Sequence, residues 1–130
     1  NGRMEQRFAV EGLDSALHHI TVENVKTASF CSNVRLLNQG GMCLHDILVD
    51  GVEDMSGTCP HLDSGVYAVN IGDTRMYGSR HSLPGETDNI TVRNVRARGK
   101  YAVRLAGIID NLTLENIRAF DGAKELLDQR

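Results

Sequence analysis

The sequence predicts an all-β fold, a right-handed single-stranded parallel β-helix of about four coils, and two repeated phrases are the main evidence for it. The longer phrase occurs as Ile20–Val25, Ile47–Val52, Ile90–Val95 and Leu112–Ile117. A shorter phrase precedes each copy, as Phe8–Val10, Val34–Leu36, Tyr67–Ile71 and Tyr101–Leu105. A recurring pair of strands is typical of a solenoid, in which each unit buries its apolar face only against its neighbours.

Each phrase has the pattern of a half-buried strand. In the third copy Ile90 and Val92 alternate with Thr91 and Arg93, which directs two side chains to each face of a sheet. The first residues of the four copies are separated by 27, 43 and 22 residues. Two of these spacings match one coil of a parallel β-helix, in which neighbouring coils pair at about 4.8 Å.

The sequence predicts one domain, residues 1–130, with coils at about 7–27, 30–54, 66–98 and 101–122. The tail, residues 123–130, has the pattern of a short helix, which would cover the open end of the solenoid with Leu126 and Leu127. The chain begins without a signal-like stretch, so we expect a mature form, or a fragment of a longer β-helix protein.

An asparagine recurs at one position of the longer phrase and predicts a sharp corner there. Asn24, Asn94 and Asn116 are equivalent, and Gly51 takes this position in the second copy. Asparagine tolerates the left-handed conformation, and stacked amides can bond one another from coil to coil. The column therefore indicates structure rather than a binding site.

Composition excludes several classes of function. A net charge of −3 and a pI near 5.9 provide no basic surface for nucleic acid. No apolar run approaches the roughly 20 residues of a membrane span. The three cysteines, Cys31, Cys43 and Cys59, lack CxxC spacing, so we expect buried thiols and no metal or cofactor, with a Cys31–Cys43 bridge as the alternative in an exported protein.

The repeat is interrupted on both sides of one strand, residues 66–72, and this is where we expect a binding face. The loop before it, 55–65, contributes His61 and Asp63. The loop after it, 73–88, contributes Arg75, Tyr77, Arg80, His81 and Glu86. The catalytic candidates from both loops are Asp63, Asp73, His61, His81 and Arg80.

Arginine and tyrosine beside carboxylates suit a groove for sugar acids, since arginine pairs with carboxylates and tyrosine offers a stacking face. Strand alternation also predicts an outward polar column of Glu11, Arg35, Asn70 and Arg104. The candidate substrate-binding residues are Asn70, Arg104, Arg35, Tyr77 and Arg75. The alternatives are a solvated loop and a column that pairs only across its own strands.

Two stretches resemble the pectin-lyase-like β-helix superfamily, and most closely polygalacturonase-type glycoside hydrolases. Val66–Gly72 followed by Asp88–Val95 is similar to that family's Gly-His-Gly-Ile-Ser-Ile-Gly coil and its next strand. Ala102–Leu105 is similar to its Arg-Ile-Lys coil. The resemblance covers roughly residues 8–120 and implies a carbohydrate-active protein, secreted or periplasmic, that contacts a uronic-acid polysaccharide.

Several positions depart from the family's pattern. Tyr67 stands where the family has its catalytic histidine, and Cys31-Ser32 where it has an aspartate pair. Glu5–Arg7 replaces the Asn-Thr-Asp motif, and Ala106 replaces a lysine, so only Arg104 matches a substrate-binding position. Inverting hydrolysis needs two carboxylates about 6.5–9.5 Å apart, and no carboxylate pair stands in the expected column.

We therefore expect an incomplete or non-catalytic β-helix domain with polysaccharide contact on the 66–72 face. The first alternative is an active glycoside hydrolase or polysaccharide lyase that uses the loop residues. The second is a structural module that stacks end to end as a homo-oligomer through its open coils.

Overall fold

The computed structural model describes residues 16–28, 32–38, 42–55, 67–73, 81–120 and 125–129. Within these residues the chain is all-β and contains no helix. The described part therefore also contains no helix long and apolar enough to cross a membrane. The eight strands are β1 (Ala16–Thr27), β2 (Ser32–Asn38), β3 (Cys43–Asp54), β4 (Tyr67–Asp73), β5 (Thr87–Ala97), β6 (Tyr101–Ala106), β7 (Asp110–Ala119) and β8 (Glu125–Gln129).

The strands form two parallel sheets, and the chain alternates between them. Sheet A has the order β1-β3-β5-β7 and sheet B the order β2-β4-β6-β8. Every neighbouring pair in both sheets is parallel. The longer phrase forms sheet A and three copies of the shorter phrase lie in sheet B, so the all-β prediction with parallel strands is confirmed. The copy at Phe8–Val10 lies outside the described residues.

The register of sheet A superposes the four copies of the longer phrase residue on residue. Ile20 pairs with Ile47, Ile47 with Ile90, and Ile90 with Leu112. The 43-residue separation between the second and third copies therefore leaves the pairing of the strands in place. The alignment derived from the sequence is confirmed by these pairs.

The helix predicted for residues 123–130 is wrong, because Glu125–Gln129 forms strand β8. This strand pairs parallel with β6 and places Leu127 opposite Val103. Leu127 remains 39% exposed, so it does not close the end of the sheet as expected. An isolated helix of this length is marginal in water, whereas the edge of β6 offers a ready row of backbone hydrogen-bonding groups.

The predicted asparagine corner is confirmed by the backbone of sheet A. The φ angles are +54° at Asn24, +87° at Gly51, +58° at Asn94 and +49° at Asn116. The Asn116 amide donates to Asn94 Oδ1 at 2.9 Å, and the Asn94 amide donates to Asp50 Oδ1 at 2.7 Å. Side chains that tolerate the left-handed region thus also link neighbouring strands.

A second left-handed column, which the sequence did not reveal, lies five residues before the first. His19, Asp46, Asn89 and Asn111 have φ angles between +52° and +55°. Every strand of sheet A therefore bends twice. Each bend shifts the in-and-out alternation by one residue, so the buried positions of β3 are Leu44, Ile47, Val49, Val52 and Asp54.

The core contains aliphatic side chains from both sheets. It is centred on β3, β4, β5 and β6, whereas the apolar residues of β1 and β7 that pack against it are only partly buried. Branched aliphatic side chains suit this arrangement because they pack closely on a pleated surface. The largest fully buried apolar side chains are Leu44, Ile71, Ile90, Val49, Val52, Val69, Val92, Val95 and Val103.

Two buried polar side chains connect strands to the turns around them. The Asn38 amide donates to the Met42 carbonyl at 2.8 Å and to the Thr87 hydroxyl at 3.1 Å. The Asp54 carboxylate accepts the backbone N–H of Arg98 at 3.0 Å and of Gly99 at 2.7 Å. Buried polar groups persist only when they are bonded in this way.

Cys43 lies at the start of β3 as an exposed free thiol. The expectation of a buried thiol is therefore wrong at this position, and so is the alternative bridge from Cys43 to Cys31. The reason lies in the strand's alternation, which turns Leu44 inward and Cys43 outward. Cys31 and Cys59 lie outside the described residues.

We predict that Asn94→Ala lowers the free energy of unfolding by about 1–2 kcal/mol, because alanine disfavours the left-handed backbone. Asn94→Gly loses the same amide bonds but adopts this backbone freely, so its loss stays under about 1 kcal/mol. Urea unfolding of the two variants measures the difference. A glycine variant as unstable as the alanine variant would contradict the role of the corner.

Asp50 provides a prediction about pH. Its pKa lies below the ordinary aspartate value of 3.8, because the Asn94 amide and then the Arg93 guanidinium bond the charged form. The stability that this carboxylate contributes is therefore present above the ordinary value and is lost as the pH falls through the lowered one. We expect the difference in free energy of unfolding between wild type and Asp50→Asn to become smaller as the pH falls from about 5 to about 2, as measured by urea unfolding. A gap that is constant over this range would contradict the assignment.

Candidate functional site

One group of polar side chains gathers where β4 ends, and we call it the Asp73 cluster. Its members come from β4, from β6 and from the chain that leads into β5. Asp73 is the last residue of β4 and is only 4% exposed. The members of the cluster are Asn70, Asp73, His81, Ser82 and Arg104.

The Asp73 carboxylate is the centre of the cluster. Both of its oxygens accept the Ser82 backbone N–H at 3.2 Å, and Oδ1 also accepts the Ser82 hydroxyl. His81 Nδ1 lies 3.2 Å from Oδ2. These bonds replace the water that the buried carboxylate gives up, which is how a protein keeps such a charge inside.

His81 connects this buried carboxylate to the surface. Its side chain is 72% exposed, whereas that of Asp73 is 5% exposed. Because a carboxylate only accepts hydrogen bonds, His81 Nδ1 carries the proton in this contact. The bond fixes the orientation of the ring, and in the neutral form it places the basic lone pair on Nε2.

Arg104 lies on β6 in register with Asn70 on β4. Its Nη1 donates to Asn70 Oδ1 at 2.8 Å, and both terminal nitrogens lie 3.4 Å from the Asp73 carbonyl. Asn70 is buried at 6% exposure, and its amide lies 3.5 Å from the Ser32 hydroxyl. The guanidinium is therefore fixed in direction while remaining half-buried.

Gly107 provides space for the Asp73 carboxylate. A Cβ at this position would lie 2.3 Å from Asp73 Oδ2, closer than real contacts allow. The φ angle of Gly107 is +80°, which side chains other than glycine rarely adopt. The backbone that follows β6 thus packs directly against the buried carboxylate.

The structure brings together four of the ten candidate residues. Asp73 and His81 are in contact, and Arg104 contacts both Asn70 and the Asp73 carbonyl. Arg35 lies on β2 in register with Asn70 and is exposed, so the predicted alignment of this column is confirmed. Asn70 is buried, however, rather than facing the solvent. The remaining candidates lie outside the described residues, namely His61, Asp63, Arg75, Tyr77, Arg80 and also Glu11.

The cluster combines a fixed cation with an exposed imidazole beside a buried carboxylate. Arginine and histidine can hold a ligand carboxylate or hydroxyl, and an oriented histidine can exchange a proton. Asp73 is the one carboxylate in the cluster. Among the described residues no group of three or more histidine, cysteine, aspartate or glutamate side chains is arranged to hold a metal ion.

Two register-paired tyrosines lie at the start of the same strands. Tyr67 on β4 pairs with Tyr101 on β6, and their rings stack with centroids 5.5 Å apart. The signal in the sequence is the recurrence of tyrosine at the start of two of the shorter phrases.

A histidine cluster on β1 and β3 is a second feature that the sequence did not reveal. The rings of His18 and His45 stack with centroids 4.9 Å apart, and His45 Nδ1 lies 2.7 Å from Asp46 Oδ2. The pKa of Asp46 lies below its ordinary value because the Asn89 amide and then His45 bond its carboxylate. A shallow groove of about 380 Å³ runs beside Asp46 over the outer face of sheet A.

Comparisons of the chain with family models, with curated proteins and with solved structures found no match.

We predict that Gly107→Ala lowers the free energy of unfolding by about 3 kcal/mol or more, since it adds a clash with Asp73 to backbone strain. Gly85→Ala is the matched control, because Gly85 has a φ of +85° with no atom within 4 Å of its added Cβ. The control should lose only about 1–2 kcal/mol.

The measurement is urea unfolding together with the His81 ring signals in NMR spectra. Only Gly107→Ala should shift those signals, because only this variant displaces the carboxylate that His81 contacts. Equal losses in the two variants, or an unchanged His81 spectrum, would show that Gly107 does not position Asp73.

Proposed function

We propose that this chain is a right-handed parallel β-helix domain of four coils that binds acidic polysaccharide without cleaving it. Two observations support the coiled architecture: the chain alternates between two parallel sheets, and equivalent residues of successive repeats pair in register. Each coil contributes one strand to either sheet. The proposed binding face is the end of β4, where the repeat is interrupted on both sides.

The observation that carries the binding proposal is the fixed Arg104 guanidinium. Asn70 Oδ1 and the Asp73 carbonyl orient it, so little side-chain entropy remains to be lost when it meets a ligand. Arginine is the side chain best suited to a planar carboxylate, the group that repeats along a uronic-acid chain. The exposed His81 ring, which contacts the carboxylate of the same Asp73, offers a second polar contact.

The proposal of binding without cleavage is supported by the number of carboxylates in the cluster. Inverting hydrolysis needs an acid and a base carboxylate about 6.5–9.5 Å apart, and retaining hydrolysis needs a pair about 5–5.5 Å apart. The Asp73 cluster contributes one carboxylate, and its oxygens are bonded to Ser82 and His81. Hydrolysis would need a second carboxylate, at one of these distances, from outside the cluster.

A second candidate function is favoured by the Asp73–His81 contact. The carboxylate accepts a hydrogen bond from the imidazole and orients the ring, which is the arrangement of a general base. A base and a guanidinium that neutralises a sugar carboxylate, both held by Asp73, would support a lyase reaction. His81 would then accept at Nε2 the proton α to the sugar carboxylate, while the glycosidic C–O bond at the β position breaks and a double bond forms in the sugar that loses the proton.

End-to-end stacking of copies receives less support from the register of sheet A. Placing β7 of one copy against β1 of the next, with the phrases in step, would set Glu115 opposite Glu23 and Arg118 opposite Lys26. Like charges directly opposite each other on paired strands are destabilising. We therefore do not favour a homo-oligomer of this kind.

We expect the full chain to bind polygalacturonate and to release no new reducing ends or unsaturated products. Arg104→Ala should weaken binding about tenfold, since a charge-assisted contact is lost. His81→Ala should weaken it less, because its contact is exposed. Isothermal titration calorimetry measures the affinity, and the same samples are assayed for cleavage.

Arg93→Ala is the control for a change of net charge, since it removes one cation that Asp50 already neutralises in sheet A. Fully methyl-esterified polymer is the control for the carboxylate. Equal binding of the esterified polymer, or an Arg93→Ala loss equal to that of Arg104→Ala, would overturn the binding proposal. Cleavage that disappears in His81→Ala would instead establish the second candidate.

A further inference from the structure

A column of four titratable side chains crosses the outer face of sheet A, just before the left-handed corner at His19 and Asp46, and we call it the His–Asp column. Each member follows an inward residue, such as the buried Leu44 on β3 and Thr87 on β5, so each member points outward. Neighbouring members pair in register from strand to strand. In the order β1, β3, β5, β7 the column consists of His18, His45, Asp88 and Asp110.

The two halves of the column differ in chemistry. The two histidines lie at one end, and their rings stack with centroids 4.9 Å apart. The two aspartates lie at the other end, on β5 and β7. Like charges directly beside each other on paired strands are destabilising. When the histidines are protonated, the column therefore brings opposite charges together only at its centre, where His45 lies beside Asp88.

The order of the column is self-complementary about a two-fold axis parallel to the strands. Such an axis keeps the direction of the strands but reverses their order, so β1 of one copy lies opposite β7 of a second copy. His18 then faces Asp110 of the second copy, and His45 faces Asp88 of the second copy. Each contact occurs twice, because a two-fold interface repeats every pair.

The hydrogen bond of His45 makes this contact depend on pH. His45 Nδ1 lies 2.7 Å from Asp46 Oδ2, and because a carboxylate only accepts hydrogen bonds, Nδ1 carries the proton. In the neutral ring Nε2 is then an acceptor and does not bond a facing carboxylate, whereas in the protonated ring Nε2 is a donor. Histidine changes its charge between about pH 5 and 8, so the contact forms on the acidic side of this range.

The titratable groups of the described residues that lie against these histidines come from three strands. His45 lies against His18 and His19 on β1, Asp46 on its own strand and Asp88 on β5. His18 lies against His45 and against His19, whose Nδ1 is 2.6 Å from His18 Nδ1. Adjacent protonated rings repel each other, and an aspartate of a second copy opposite each ring would neutralise that charge.

Apolar side chains extend the same surface two residues earlier along the strands. Ala16 precedes His18 on β1, and Ile108 precedes Asp110 at the start of β7. Ala16 is exposed and Ile108 is 44% exposed. The two-fold axis places Ile108 of one copy against Ala16 of the other, so the contact also removes apolar surface from water.

We propose that the His–Asp column is a self-association surface, through which two copies of this chain form a two-fold dimer at acidic pH. The order of the column selects a second copy as the partner. A uniformly acidic partner would repel the aspartates, and a uniformly basic partner would repel the protonated histidines. A second copy turned about the two-fold axis presents the reversed order at the same spacing of about 4.8 Å, because its strands have the same register.

This surface lies on sheet A and shares no residue with the Asp73 cluster, so the proposal goes beyond the binding function proposed above. It also differs from end-to-end stacking, which joins the edges of strands rather than their outer faces. The four strands of the column span only about 14 Å, and exposed ion pairs contribute little each. We therefore expect a weak, reversible dimer that requires concentrated protein and that salt weakens.

Sedimentation equilibrium on the concentrated full chain, at low ionic strength, measures the mass as a function of pH. We expect the 14.3 kDa monomer at about pH 8 and a mass that rises toward twice this value at about pH 5.5. Added salt should reverse the rise. A mass that does not change with pH, or that grows beyond two copies, would overturn the proposal.

Exchanging the charges of His18 and Asp110 tests the orientation, because these residues lie on the first and last strands of sheet A, about 14 Å apart within one molecule. His18→Asp sets like charges opposite each other at two places and should weaken association at least about tenfold at pH 5.5. Asp110→His should weaken it to a similar degree. An equimolar mixture of the two variants should dimerise again, since every pair in the mixed dimer has opposite charges. A mixture that remains monomeric would overturn the proposal.

Thr21→Asp is the matched control, because it adds a carboxylate to the same strand at an exposed position beyond the corner at His19. It should leave the mass unchanged from wild type at both pH values, and a loss equal to that of His18→Asp would show that net charge rather than the column controls association. Thermal unfolding checks that each variant retains the fold. His45→Asp mixed with Asp88→His is a second complementary pair, so the test stands if one variant does not fold.

Discussion

Each strand of sheet A bends twice through left-handed residues, and the rest of the structure depends on these bends. The φ values recur at the same two positions in β1, β3, β5 and β7, five residues apart. Each bend advances the alternation by one residue, so that buried positions follow one another at intervals of three and two. Ile47, Val49 and Val52 therefore all face the same interior, whereas strict alternation would turn Val52 outward.

The bends also explain why so few residue types occupy the corners. A left-handed backbone costs most side chains about 1–2 kcal/mol per residue, and asparagine, aspartate and glycine reduce that cost. Asparagine adds a second benefit, since Asn116 bonds Asn94 and Asn94 bonds Asp50 on the next strand. Local conformation and contact between strands thus favour the same residue.

Because the strands pair in register, each outward side chain lies beside the equivalent side chains of the neighbouring strands. A charged residue therefore has either opposite or like charges next to it. Arg93 lies beside Asp50 and forms an ion pair with it, whereas Arg96 lies between Glu53, which pairs with Lys26, and Arg118. The structure tolerates the second arrangement because both guanidinium groups are anchored, by the Phe120 ring and by Asn116. The Asp73 cluster differs, because its carboxylate is buried and is hydrogen-bonded to Ser82 and His81.

The sequence alone was sufficient to predict the strands of the two repeated phrases, their parallel pairing and the asparagine corner. These features follow from local periodicity. Equivalent positions of the repeated phrase pair in the structure, namely Ile20, Ile47, Ile90 and Leu112. The corner with His19 and Asp46 escaped detection because its residue types differ from strand to strand. The predicted C-terminal helix was wrong because the edge of β6 provides hydrogen bonds that a short tail cannot provide for itself.

The burial and the mutual contacts of the site residues are decided only by the tertiary structure. Asp73 and His81 were candidates in the sequence, but only the fold buries one, exposes the other and places Arg104 against the Asp73 carbonyl from 31 residues away. The Arg96–Phe120 contact likewise joins residues on different parts of the chain. Repetition along a sequence specifies which residues share a column, because that depends on spacing alone. Which charges are neutralised, buried or left exposed depends on atoms that the chain brings together only when it folds.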